Sequence, residues 1–121
     1  MLYAILIHAH EAVVDGRTPQ EQEAMLARHA QLREELSAAG RLGPSLRLGP
    51  TASARVVRGK TGAIVTDGPF AESKEQLLGL YIVDCATPED AVAVARRLAF
   101  DTTAIEIRPI AVLQPGGLAA T

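Results

Sequence analysis

The sequence predicts an α+β domain of the ferredoxin-like type, a split βαβ arrangement with an extra β-hairpin inserted at its middle. Three observations carry this. A strand–helix–strand pattern occurs twice. Both helices open on the same Thr-Pro signal followed by an acid. Between the halves lies a glycine-bracketed hairpin, Gly59-Lys60-Thr61-Gly62.

Residues 2–7 form a continuous apolar run with one Tyr and two Ile, the pattern of a strand buried on both faces. Residues 8–17 read as a loop. Thr18-Pro19-Gln20-Glu21 then starts a helix: Thr caps the orphan amides, Pro suits the first helical position, and Glu closes a capping box. The helix should reach about Ala39, with Gly40 as its left-handed cap. Residues 42–48, 54–58 and 63–66 are strand candidates, the last two being the hairpin arms. Residues 78–84 form another strand. Thr87-Pro88-Glu89-Asp90 opens the second helix, with Ala91, Val94, Ala95 and Leu98 as its apolar stripe. Residues 104–113 end the pattern as a strand whose Pro109 marks an edge or bulge. The domain is drawn at residues 1–113, with a loose Pro-Gly-Gly tail at 114–121.

Two helices can cover only one face of such a sheet. A sheet carrying Tyr3, Ile5, Ile64, Tyr81, Val83, Ile105 and Ile107 cannot easily leave the other face in water, so a homodimer packed sheet on sheet is expected.

Composition narrows the function. The chain has 121 residues, is 48% hydrophobic and has a formal net charge of −2, which fits one domain with a real core and gives no basic face for nucleic acid. Aromatics at 3% leave little for stacking on bases. Cys85 is the single cysteine, so no internal disulfide or Cys-x-x-Cys metal spacing exists, and a reducing cytoplasm fits. Cys85 is read as a small buried residue. The opening apolar run lacks a basic leader and is far shorter than the ~20 residues that span a membrane, so no membrane partner is expected.

Three histidines are candidates for chemistry. His29 falls on the first helix's stripe with Met25, Leu32, Leu36 and Ala39, opposite Glu23, Arg33 and Glu34. It faces the sheet, where it must find a hydrogen-bond partner or serve a cavity. His8 and His10 share a strand face, with Glu11 and Asp15 nearby, but this spacing is weak and solvated loop histidines are favoured over a metal site. No metal and no cofactor are expected, and no glycine-rich phosphate loop follows a strand.

The stretch Thr66-Asp67-Gly68-Pro69-Phe70-Ala71-Glu72-Ser73-Lys74-Glu75-Gln76-Leu77 is the most distinctive in the chain. Asp67-Gly68 is turn chemistry, Pro69 stiffens the exit, and Phe70 reads as an anchor holding a polar segment over the fold. With the Thr-Pro helix start and Ile105-Glu106-Ile107-Arg108-Pro109, it resembles the signature of the YCII-related family, in its DGPF subgroup. The resemblance covers nearly the whole chain. It implies a ferredoxin-like protomer in a dimeric α/β barrel. The wider superfamily includes proteins resembling muconolactone isomerase and a ring dehydrochlorinase, with a His–Asp pair proposed as acid/base centre. Arg28-His29-Ala30-Gln31-Leu32 matches the segment carrying that His. His8 stands where many relatives have an aromatic.

Two functions follow as expectations. One is an acid/base enzyme acting on a small polar or cyclic metabolite, with His29 and Asp67 catalytic and His8, Pro69, Phe70, Glu72 and Lys74 binding substrate. A carboxylate beside His29 would raise its pKa. The alternative is a ligand-binding or regulatory module. The resemblance links that alternative to extracytoplasmic-function sigma factors, which relatives of this subgroup often neighbour.

Overall fold

Both Thr-Pro signals start the helices they announce. The computed structural model describes residues 1–60, 64–69, 74–100 and 102–119. Helix α2 spans Pro19–Ala38 behind Thr18, whose hydroxyl accepts from the Glu21 amide while the Glu21 carboxylate accepts from the Thr18 amide, a complete capping box. Helix α3 spans Pro88–Leu98, with the Thr87 hydroxyl accepting from the Asp90 amide. Gly40 ends the α2 turn at φ 69°, a conformation that a Cβ would oppose.

The strands are β1 (Leu2–Ala9), β2 (Leu42–Arg47), β3 (Arg55–Arg58), β4 (Ile64–Asp67), β5 (Gln76–Asp84) and β6 (Thr103–Pro109). Four of them form an antiparallel sheet in the order β2-β5-β1-β6, the order of a ferredoxin-like fold. Tyr3 pairs with Val83 and Pro109, and Ile5 with Tyr81 and Ile107. Strand β6 lies at the sheet edge and stops at Pro109, rather than running on to residue 113, because proline cannot extend the ladder. Strands β3 and β4 make the inserted hairpin as a separate sheet, Arg58 opposite Ile64 and Arg55 opposite Asp67.

One element departs from the sequence reading. His8 and Ala9 belong to β1, and Glu11–Asp15 forms a short helix, α1, where a loop was expected. Only five residues long and without a side-chain cap, α1 offers little sequence signal. Tertiary bonds hold it: the Glu11 amide donates to Gln76 Oε1 at 2.8 Å, and its carboxylate accepts from the Thr51 amide and hydroxyl at 3.0 and 2.6 Å.

The core lies between the sheet and the two long helices. Tyr3, Ile5, Tyr81 and Val83 meet Leu32 and Leu36 of α2 and Ala91, Val94, Ala95 and Leu98 of α3. Cys85 is buried here as well, at 1% exposure. Arg41 closes the rim, donating Nε–H to the Asp84 carbonyl and Nη2–H to Cys85 Sγ.

This arrangement corrects the argument for an uncovered sheet face. Of the apolar strand residues on which that argument rests, Tyr3, Ile5, Tyr81 and Val83 lie under the helices, and Ile64 belongs to the separate β3–β4 sheet. The opposite face carries Leu2, Ala4, Leu6, Leu80 and Ile82, all partly exposed, paired as Ala4–Ile82 and Leu6–Leu80. Strand β1 is therefore buried on one face only, through Tyr3, Ile5 and Ala9. The face left open is apolar along β1 and β5 and carries the Glu106–Arg108 ion pair beside Leu6 and Ala4 on β6; its residues are the alternate set of the same strands.

Candidate functional site

A cavity of about 310 Å³ opens between the middle of α2 and the sheet. That is at the small end of the ~300–1,000 Å³ range of ligand pockets. Ile7, Leu98 and Phe100 give it apolar walls. Its polar lining consists mainly of His29, Tyr81, Arg17, Arg33 and Arg47. None of the described lining residues is Asp or Glu.

Each polar group arrives for a local reason. His29 and Arg33 are four residues apart on α2, which places them on one side of the helix. Tyr81 comes from the covered face of β5. Arg47 ends β2, and Arg17 sits in the short link between α1 and α2. Gly79 lets β2 approach β5 here, since a Cβ at Gly79 would run into the Leu46 carbonyl oxygen.

Tyr81 organises the polar cluster. Its hydroxyl oxygen is 2.7 Å from His29 Nδ1, and the rings lie 5.8 Å apart between centroids. Arg33 Nη1–H donates to the same oxygen at 3.1 Å. With that donation in place, the hydroxyl proton is free to point at Nδ1. Nδ1 then accepts, and the neutral imidazole carries its own proton on Nε2. The His29 pKa is lowered, first by burial and then by the charges of Arg33, Arg28, Arg17 and Arg47. A neutral imidazole is thus favoured at physiological pH.

This reverses the pKa shift expected from a neighbouring carboxylate. Asp67 ends β4 in the separate hairpin, its side chain 91% exposed, with Oδ1 3.7 Å from Arg55 Nε. Within one chain the structure does not bring Asp67 to the cavity. His29 finds a phenol and a guanidinium instead. His8 lies on the opposite sheet face from Ile7, by strand alternation. Pro69 is partly buried and Lys74 exposed, and neither lines the cavity. Phe70 and Glu72 lie outside the described residues. His10 caps α1, and Glu11 is engaged by Thr51. Among the described residues no three of His, Cys, Asp and Glu converge as metal ligands.

Several residues of this site escaped the sequence reading. Arg33 was placed opposite His29, yet a four-residue step turns a helix only slightly past one full turn. That spacing was the available signal. Tyr81 was read only as a sheet residue, and Arg17 and Arg47 carry no local motif.

The comparisons with known proteins concern the whole frame that holds this cavity. The YCII-related domain matches residues 1–114. The chain belongs to the YCII-related family. An uncharacterised protein of Rhizobium meliloti (strain 1021) is 42% identical over 122 residues, covering 98% of this chain and 98% of its own. The YCII-related frame thus includes every residue of the His29 cavity. Among its described residues no helix is long and apolar enough to cross a membrane.

Proposed function

We propose that this YCII-related protein catalyses proton transfer on a small organic metabolite, using its own side chains. His29 is the proton-transfer group, and Tyr81 and Arg33 are its positioning residues. The observation that carries this is the Arg33–Tyr81–His29 relay at the cavity wall. It fixes one ring nitrogen and favours the neutral ring, the state from which an imidazole can both give and take a proton. Asp67 would join the chemistry only by reaching a cavity from outside its own chain.

The test is solvent-proton exchange. A panel of small keto acids and lactones is incubated with protein in D₂O and followed by mass spectrometry. Wild type is expected to incorporate deuterium into at least one compound, and His29→Gln to lose this with its circular dichroism unchanged. Full activity in His29→Gln would sink the assignment, as would a panel without any exchange.

A second reading is favoured by one observation, the separation of Asp67 from His29. A histidine without a carboxylate can serve a ligand sensor as well as an enzyme. In that reading the cavity holds a ligand and the dimer surface meets a protein such as a sigma factor. Saturable ligand binding without turnover would favour it. In both readings the open sheet face packs against a second copy of the chain, in the manner of a dimeric α/β barrel, and the protein works in the cytoplasm.

A further inference from the structure

We infer that the ligand of this cavity is a carboxylate with an apolar body, and that Arg17 receives its carboxyl group. The inference rests on reading the cavity as a ligand site and adds the ligand's chemical class.

Arg17 is held in place at the cavity wall. Its guanidinium carbon stands 4.0 Å above the centre of the Phe100 ring, and Nη1–H donates to the Met25 sulfur. These contacts fix the plane of the fork but use only one of its ends. Nη2 is buried and has no acceptor among the described residues. A buried N–H donor of a cation left without an acceptor is costly, and native proteins seldom keep one without a reason. The Glu21 carboxylate is engaged by the Thr18 amide in the capping box, and Asp15 of α1 does not line the cavity.

The surroundings sharpen the demand. Arg33 and Arg47 line the same cavity, and no described lining residue is acidic. Such a cluster of like charges is unfavourable when empty and suits an anion when filled. Arg33 already donates to Tyr81, and Arg47 adds charge from the β2 end. A planar carboxylate matches the rigid guanidinium fork. The apolar walls, Ile7, Leu98 and Phe100, suit a hydrocarbon body rather than a bare inorganic ion.

The test is titration calorimetry with benzoate, cyclohexanecarboxylate and the neutral isostere benzamide, with inorganic phosphate as a further arm. Wild type is expected to bind at least one of the two carboxylates saturably and at least tenfold more tightly than benzamide or phosphate. Arg17→Met should weaken that binding by roughly tenfold to a hundredfold, with Arg17→Lys between the two. Saturable carboxylate binding by a wild type that shows no solvent exchange would sink only the proton chemistry, which separates the carboxylate seat from it. Benzamide or phosphate binding as tightly as the carboxylates overturns the inference. So does the lack of saturable binding by both carboxylates, or a folded Arg17→Met that binds like wild type. Should the Met variant unfold, unchanged affinity in Arg17→Lys is the overturning result.

Discussion

The two faces of the main sheet are built from the same strands and are both apolar along β1 and β5, yet they meet different fates. On one, Tyr3, Ile5, Tyr81 and Val83 are 0–4% exposed under α2 and α3. On the other, Leu2, Ala4, Leu6, Leu80 and Ile82 stay partly exposed. Hydrophobicity alone therefore does not decide burial within the chain. The helices choose a face, and alternation assigns every side chain accordingly. The covered face then does two jobs. It supplies the core at Ile5 and Val83, and at Tyr81 it turns a core aromatic into a polar anchor for the cavity. The open face has no such inward role; in the proposed homodimer a second copy of the chain covers it.

The comparison can be broken from either side. Ile5→Ala removes a side chain with 0% exposure and should cost about 4 kcal/mol of stability in urea denaturation. The neighbouring Leu6→Ala should cost much less under conditions where the chain is monomeric. Equal costs would mean that the open face is covered within one protomer. Leu6→Asp tests the same face in association. It should weaken a homodimer a hundredfold or more, about 3 kcal/mol, and halve the mass seen by light scattering near micromolar concentration. An unchanged mass would move the contact elsewhere. Smaller again is Thr18→Ala, which opens the capping box of the helix covering the other face and should lower stability by about 1 kcal/mol.

The pH dependence of His29 probes the cavity edge of the covered face. Its folded pKa lies below the unfolded value, so the unfolded chain takes up the proton first. The neutral ring's stability is fully present above the unfolded pKa of about 6.5 and is lost as pH falls from there toward the folded pKa. His29→Gln should therefore flatten the fall in denaturation midpoint across that window. A midpoint that falls equally in both proteins would show that His29 titrates alike in the folded and unfolded chains.

These particulars show what the sequence made legible. Thr18-Pro-Gln-Glu21 and Thr87-Pro-Glu-Asp90 announce their helices because capping is local: every partner lies within three residues. The stripe of α3 was legible for the same reason, as was the direction of His29. The partner of His29 was not, since Tyr81 is 52 residues away and its register against α2 is set by packing. The three arginines reach one cavity from a link, a helix and a strand end, and no periodicity relates them. Asp67 shows the converse hazard. Its motif is distinctive in sequence, but in the folded chain it pairs with Arg55 across a hairpin.

Cys85 gives the protein a built-in clock. Its sulfur is shielded at the end of β5, inside the core and beside the Arg41 guanidinium. A thiol reagent can reach it only when the core around the strand end opens. Because it is the single cysteine, labelling yields one signal with one meaning. When reclosing outpaces labelling, the rate reports the free energy of that opening; when labelling is faster, it reports the opening rate itself. A carboxylate that binds the closed cavity should slow the clock in proportion to its occupancy. The same thiol thus converts ligand recognition into a lifetime that can be read without knowing the reaction.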